Sequence, residues 1–421
     1  MAKTGPDRSG RRRFVLQSMA AVGAAGAIVR TSRATVPLGA TEHEVPADAS
    51  KVQGYPLADE SYGTRSQFET EVRRRFKTPT AQSSWTMTPL AQGVGIITPS
   101  GLHFERSHAG TAIIDPERHR LYVHGMVDEP RKYTMRDLKR FPSISRLMFL
   151  ECSGNGLTEW SKPTMPSVQF THGLTSTSEW TGVPLATILH EAGLRRGARW
   201  LLAEGGDAAM MTRSIPLEKA LRDCFLAYGQ NGEALRPEQG YPLRLIVPGW
   251  QGNVNIKWLR RIQIGDQPWY SREETSKYTE LMEDGKIRGF TWLIYAKSVI
   301  TFPCPEKPVK GPGLYEIRGF AWSGKGRITQ VDVSTDGGVN WQRARLQEPV
   351  LSKALTRFTH EWRWDGKPAL LQSRAVDETG FVQPTIAELR AARGVNGIYN
   401  NNSIQTWQVK PDGSVFDVQL A

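Results

Sequence analysis

From Arg146 to Gly156 the chain reads RLMFLECSGNG, and this stretch restricts the fold more than any other. The apolar run Leu147 to Glu151, closed by a Ser-Gly-Asn-Gly turn, predicts a strand. Cys152 stands at its end. The small residues behind it let the backbone turn sharply and approach whatever the sulfur holds, which larger side chains would block. A presented thiolate has this setting. A buried cysteine packed as a small hydrophobe is the other state open to it.

A chain of 421 residues is too long for one ordinary domain, so two folded units with tails are expected. With 39% hydrophobic residues and 13 tryptophans it has ample material for packed cores. The formal charge of +12 gives a basic surface open to nucleic acid, anionic lipid or an acidic protein. No basic run interleaved with aromatics occurs in the part expected to fold, which argues against nucleic acid and leaves an acidic protein or an anionic substrate. Cys152, Cys224 and Cys304 are too few and too scattered for a disulfide scaffold or a zinc knuckle. No C-x-x-C-H occurs, so the chain offers no attachment for a c-type haem.

At the N-terminus Arg11, Arg12 and Arg13 precede Phe14 and Val15, and an alanine-rich apolar segment runs on to Val29. A basic head before a modest apolar stretch predicts an export signal of twin-arginine type. The stretch falls short of the roughly 20 residues that span a bilayer as a permanent helix. Cleavage after Ala34 suits the small-residue rule, and a retained anchor is the alternative. Twin-arginine export carries folded proteins, which suits a periplasmic protein loaded with a large cofactor.

The organisation expected is a signal over 1–34, an extended arm over 35–95 with a short helix near Phe68 to Phe76, a catalytic domain over 96–266, a charged linker over 267–290 and a second domain over 291–421. In the first domain, strands are expected at Leu121 to Val127, Leu147 to Glu151, Arg199 to Glu204, Arg244 to Trp250 and Val254 to Ile264. Helices are expected at Val183 to Gly193, ending in a glycine stop, and at Pro216 to Cys224, opening on proline. The order is α+β and not a regular βαβ series. Beyond the linker, Leu314 to Trp322, Ile328 to Ser334, Val339 to Leu346 and Leu370 to Gly380 alternate like short strands. Asp336, Gly337 and Gly338 join two of them as a hairpin whose turn wants positive φ. An antiparallel sandwich of immunoglobulin type is expected.

Several residues offer chemistry. Arg106 and His108 lie two apart and share one face of an extended segment. Arg244 follows Gly240, and Lys257 follows Gly249 and Gly252; glycines near basic side chains let backbone amides and a cation converge on phosphate oxygens. Asp207, after Glu204, Gly205 and Gly206, can accept hydrogen bonds from a heterocycle. Each alone is equally an ordinary surface or turn residue.

In this order, Arg106-x-His108, Cys152-x-Gly-Asn, Glu204-Gly-Gly-Asp207, Gly240-x-Pro-x-Arg244, Lys257-Trp258 and the Asp-Gly-Gly-x-x-Trp341 hairpin resemble the sulfite oxidase family of molybdenum enzymes. The resemblance runs from about residue 95 to the end. SREETSKYTELM, AKSVIT and NNSIQTW are similar to its sulfane dehydrogenase branch. It implies a mixed molybdopterin-binding domain followed by an all-β immunoglobulin-like dimerisation domain. It implies Cys152 as the molybdenum ligand, Arg106 and His108 near the pterin and metal, and Asp207, Arg244 and Lys257 as pterin and phosphate contacts, with Ser214 and Gln239 beside them. Tyr278 matches the tyrosine near the metal, and Arg343 matches a second-domain arginine reaching the site.

Family members acting on free sulfite carry arginines just after the Cys-x-Gly-Asn, where this chain has Gly156 and Leu157. A pocket without that cation lacks a charge-assisted contact of about 1.5 to 3 kcal/mol for a free dianion. Gln239 stands where histidine is common. The activity implied is oxidation of sulfane sulfur on a carrier protein during thiosulfate oxidation, with electrons leaving to a separate c-type cytochrome. Sulfite oxidation by the same fold is the alternative. A sulfoxide reductase, an exported metal-free binding module with Cys152 merely buried, and a cysteine hydrolase are the others.

Overall fold

A computed structural model describes residues 53, 62–161, 163 and 165–420. The expected signal over 1–34 and most of the arm before residue 62 lie outside the described residues. The chain divides into Met1–Gln67 and Phe68–Ala421, and the described residues of the first part contain neither helix nor strand.

Within Phe68–Ala421 the strand ending at Cys152 runs Ile144–Glu151 and pairs antiparallel with Thr175–Pro184. Phe225–Gln230 pairs with the far side of Thr175–Pro184 and also with Glu233–Ala234 and Arg244–Ile246. The half of the cysteine strand that leads to Cys152, Met148 to Glu151, is buried on both faces. Phe149 joins the hydrophobic cluster of the C-terminal sandwich, while Met148 and Leu150 join another with Trp180, Phe225 and Ile246. Alternation along a pleated strand sends neighbours to opposite faces, so a continuous apolar run is what two-sided burial requires.

A second sheet has the order Arg131–Tyr133, Leu121–Gly125, Leu259–Gly265, Trp200–Gly205, Thr212–Pro216, with Leu121–Gly125 and Leu259–Gly265 parallel. The helix Leu185–Ala192 turns Leu185, Ile188, Leu189 and Ala192 into the core beside it and stops at Gly193, whose φ is +72°. Ile188 is fully buried there, so Ile188→Ala costs about 2–5 kcal/mol. The second expected helix forms as Leu217–Asp223.

The C-terminal region is two facing sheets. One contains Lys297–Phe302, Gly313–Trp322, Thr356–Trp364 and Arg345–Gln347; the other contains Gln342–Arg343, Ile328–Ser334, Ala369–Asp377, Thr406–Val409 and Val415–Val418. Trp322, Phe358 and Trp407 fill the space between them. The Asp-Gly-Gly turn has Gly337 at φ +76° and Gly338 at φ +91°. The region is not purely β, because the helix Ile386–Arg393 follows a capping box at Thr385 and Glu388.

Other expectations change. No helix forms at Phe68 to Phe76; Arg74–Arg75 is instead an edge strand on Ser84–Met87. Ser84–Met87 in turn pairs with Glu105–Ser107, so the later part of the expected arm is built into the sheet that carries Arg106. The run from Val254 is a strand only over Leu259–Gly265, because Gly252–Val254 is a 3-10 turn and Trp258 has a φ of +52°. The strand from Arg244 ends at Ile246. The expected linker holds a helix, Arg272–Thr275, and a small hairpin, Glu280–Leu281 with Ile287–Arg288. Among the described residues no helix is long and apolar enough to cross a membrane, and the three cysteines are free.

Candidate active site

One cleft gathers most of the expected residues. Arg106, His108, Cys152, Asp207, Gln239, Arg244, Lys257 and Tyr278 line it, enclosing about 720 Å³ with the mouth included. They come from separate elements, and the fold makes them one site.

Cys152 forms the wall at the end of its strand. Its amide donates to Leu174 O at 2.9 Å, and its carbonyl accepts from Asn155 N at 2.9 Å, closing a tight turn. Gly252 packs on this turn from outside; a Cβ there would stand 3.0 Å from Glu151 O and 3.4 Å from the Cys152 Cα. Burial pushes the Cys152 thiol up, while the Gly154 amide and Arg106 favour the thiolate. A thiolate there suits a soft metal, whose own charge would complete the deprotonation.

Arg106 lies on Glu105–Ser107, its guanidinium 5.1 Å from the Trp85 ring centroid. Its Nη2 lies 3.1 Å from His108 Nδ1, and His108 Nε2 lies 3.0 Å from the Tyr278 hydroxyl. A guanidinium only donates, so Nδ1 accepts and the neutral ring carries its proton on Nε2. Nε2–H therefore donates to the tyrosine oxygen. The phenolic proton is left free to point into the cleft. Burial, then Arg106, lowers the His108 pKa to about 4, which keeps the ring neutral. Burial raises Tyr278 above its ordinary value, so it stays a donor. Tyr278 holds a left-handed φ of +51° in the loop after Arg272–Thr275, a costly backbone state that packing must maintain.

The opposite wall is cationic. Arg244 is buried, donating from Nη1 to Gln239 O at 3.0 Å and from Nη2 to Asn255 O at 3.0 Å, while its Nε has no partner. Desolvation lowers its pKa to about 9, still charged at neutral pH. Lys257 Nζ donates to Ser107 Oγ at 2.8 Å and Glu238 O at 2.9 Å, and desolvation brings it to about 8. Gln239 is taken up within the protein: its amide donates to Phe104 O at 2.9 Å and its oxygen accepts from Arg244. Asp207 lies at the rim, and burial raises its carboxyl.

Two expected residues are not in this cleft. Ser214 Oγ donates to Glu274 at 2.9 Å and accepts from Trp269 N at 3.0 Å, so it braces the loop leading to Tyr278. Arg343 is exposed on the two-residue strand Gln342–Arg343, which pairs with Ile328–Ser334 at the edge of its sheet, and its guanidinium bonds Gln330. Within one chain that edge position holds it in solvent instead of at the cleft.

Three residues were not singled out from the sequence. His103, fully buried, lines the cleft; Nδ1 lies 3.0 Å from Phe104 O, leaving Nε2 an acceptor without a donor. Asn253 lines the cleft and donates to Ser153 Oγ at 3.3 Å. Arg213 lies behind it, bonded to Asn253 and 5.4 Å from the Tyr278 ring centroid. His103 follows the 3-10 turn Ser100–Leu102 and precedes the strand Glu105–Ser107, so no periodic pattern in the sequence marks it.

The residues fit a large anionic cofactor bearing a soft metal. Arg244 Nε–H lacks an acceptor and His103 Nε2 lacks a donor, so the cleft has one unmet donor and one unmet acceptor. Arg106 and Lys257 line the same cleft, and Cys152 supplies the thiolate.

The family model described as the oxidoreductase molybdopterin binding domain matches residues 108–273, and the Mo-co oxidoreductase dimerisation domain matches 288–407. Mitochondrial sulfite oxidase of Rattus norvegicus is 31% identical over 328 residues, covering 71% of this chain and 59% of its own length. The chain thus spans under two thirds of that relative. Sulfite oxidase of Gallus gallus is 31% identical, covering 71% of each. A chain in the crystal structure of the sulfane dehydrogenase SoxCD from Paracoccus pantotrophus superimposes with a TM-score of 0.85 and 48% identity, over 89% of this chain and 98% of that one. By these likenesses, and by a cleft that sets a cysteine opposite buried cations, the chain belongs to the sulfite oxidase family of molybdopterin-dependent oxidoreductases.

Proposed function

We propose that this chain is the molybdenum subunit of a periplasmic sulfane dehydrogenase, oxidising sulfane sulfur on a carrier protein's cysteine and passing electrons to a c-type cytochrome. The observation that carries the reading is the near-complete overlap with the SoxCD chain at 48% identity. Gly156 and Leu157, at the positions where sulfite-oxidising relatives carry arginines, agree with a substrate that is not a free dianion. The arginine head at Arg11 to Arg13 supports export, and the matched dimerisation domain supports a homodimer through the C-terminal region.

In this reading Cys152 holds the metal, while Arg244, Lys257 and His103 hold the polar tail of the cofactor, with Gln239 orienting Arg244 from behind and Asp207 at the heterocycle. When bound, the molybdenum cofactor supplies two-electron oxidation coupled to oxygen transfer from water. The chain supplies placement and electrostatics. The Arg106–His108 pair fixes the Tyr278 hydroxyl as a donor into the cleft, where it would steady oxygen charge or a departing proton. Each oxygen gained by sulfur comes from water and releases two protons and two electrons, so an electron acceptor is required.

The purified periplasmic protein should contain molybdenum and turn over thiosulfate-loaded carrier faster than free sulfite, measured with cytochrome reduction. Faster turnover of free sulfite would assign the sulfite-oxidising alternative; absence of molybdenum would leave a binding module.

A further inference from the structure

Behind Cys152 lies a buried ion pair that the proposed reaction does not use. Glu151 and Lys297 have side chains 3% and 2% exposed and meet at 3.1 Å. Glu151 ends the cysteine strand, whereas Lys297 opens the sandwich strand Lys297–Phe302. Lys297 Nζ also donates to Asn155 O at 3.0 Å. Asn155 Nδ2 returns to Glu151 Oε1 at 2.8 Å, and Trp322 Nε1 donates to Oε2 at 2.6 Å. Asn155 Oδ1 accepts from Leu174 N at 3.0 Å, and Asn400 N donates to Ser153 O at 2.7 Å.

These bonds close a ring around the turn that carries the thiol. Glu151 and Asn155 bracket Cys152, and Lys297 ties both to the second domain. Gly156 completes the fit: at φ +82°, a Cβ there would stand 3.2 Å from Lys297 Nζ. A buried ion pair is poor value as a source of stability, since apolar residues of the same volume often serve a fold as well. What it supplies is direction, because each hydrogen bond fixes one atom of the turn. Cys152 itself makes no hydrogen bond to the second-domain residues Lys297, Trp322 and Asn400 of this network, yet its two neighbours do.

We propose that the Glu151–Lys297 pair is a positioning device through which the C-terminal domain preforms the Cys152 turn before the cofactor arrives. The inference rests on Cys152 being the metal's thiolate. Lys297 and Glu151 touch no reacting atom; they act through the turn. A preset thiolate meets the metal without ordering a loop at that moment. The C-terminal domain then has a second task besides dimerisation, and a chain lacking it would present its cysteine on a loose loop.

The test is hydrogen exchange, read by mass spectrometry on full-length protein made without cofactor. The wild type should protect the amides of Cys152, Asn155 and Leu174. In Lys297→Met, which strands a buried carboxylate, exchange there should rise about 100-fold. The double variant Glu151→Gln with Lys297→Met removes both charges, and with them the cost of a stranded carboxylate, but still lacks the Lys297 bonds to Glu151 and Asn155 O, so exchange at the turn should stay at least about tenfold above wild type. Wild-type exchange in Lys297→Met, or a double variant within about tenfold of wild type, overturns the proposal. Strand residues Leu201 to Ala203 are the control. Should they loosen as well in the single variant, the double variant decides: a turn that stays fast while the control strand is protected supports the pair, and a control strand that stays loose, or a turn that recovers with it, overturns the proposal. In the loaded proteins, the X-ray absorption signature of the protein thiolate should broaden in Lys297→Met and stay broadened in the double variant, and no broadening counts against positioning. Metal analysis of the wild type tests the function separately, so the two failures are distinct.

Discussion

The two sides of the cleft are built in opposite ways. Around the cysteine turn Glu151, Lys297, Asn155 and Leu174 answer one another across 2.8 to 3.1 Å. On the cationic side Arg244 keeps an unpaired Nε, His103 keeps an unpaired Nε2, and among the described residues no carboxylate forms an ion pair with Arg244. A buried guanidinium without a counter-ion is costly. One side is complete in the protein alone, and the other becomes complete with an anionic group that meets Arg244 and also brings a hydrogen-bond donor to His103. The difference teaches which half of the site folding provides and which half cofactor binding provides.

Removing the thiolate should have the largest effect. Cys152→Ser keeps the volume and the backbone bonds of the turn, so the protein should fold with an unchanged melting temperature and lose turnover. Substantial remaining activity would take Cys152 out of the metal site. Arg244→Met should come next and bears directly on the contrast. Cofactor content after purification should fall sharply, while the cofactor-free protein should melt close to wild type, since relief of a buried charge without a counter-ion offsets the loss of its bonds to Gln239 and Asn255. If the cofactor-free variant is destabilised instead, Arg244 is as much a part of the folded scaffold as Lys297, and the contrast breaks.

Tyr278→Phe removes only the hydroxyl that His108 orients. Turnover should fall about 10²- to 10⁴-fold, the range for a positioned proton donor, with metal content unchanged. Loss of metal along with activity would make the tyrosine a structural prop of the cleft.

The two cleft histidines, His103 fully buried and His108 partly exposed, give a smaller effect, seen as stability against pH in cofactor-free protein. Burial holds His103 near a pKa of about 3 and His108 near about 4, both below the ordinary value of 6.5. The unfolded chain therefore binds protons that the folded one refuses, so stability is full above about pH 6.5 and falls as pH drops through the window. The slope from His103 is about 1.4 kcal/mol per pH unit. His103→Gln should flatten that slope in urea titrations at pH 7 and pH 5; an unchanged slope would mean that the cationic side is more open to water than its burial implies.

Much of this layout was legible in the sequence where one residue type does one job repeatedly. The cysteine strand announced itself because burial on both faces needs an unbroken apolar run, and Leu185–Ala192 because a single buried face repeats at helical spacing. Tyr278 was placed by resemblance alone: its segment looked like a charged linker, since a four-residue helix and a positive φ leave no periodic trace. The region from Phe68 was misread because its two-residue strand draws its partner from Ser84–Met87 and not from local pattern. Lys297 and Arg213 look like surface charges in sequence, and only tertiary contacts reveal that both are buried.

Arg343 supplies the weakest expected effect and the sharpest check on where the cleft ends. The resemblance put this arginine in the site, yet its strand lies at the sheet edge, exposed, bonded to Gln330. An exposed polar contact of this kind contributes little, within about 0.5 kcal/mol for a surface substitution. Arg343→Ala should leave metal content, melting temperature and turnover within about twofold of wild type, because about 0.5 kcal/mol changes an equilibrium or rate by little more than that factor. A large loss of activity in dimeric protein, with metal retained, would mean that the edge of one protomer completes the cleft of its partner. The cationic side would then be closed by a second chain as well as by the cofactor.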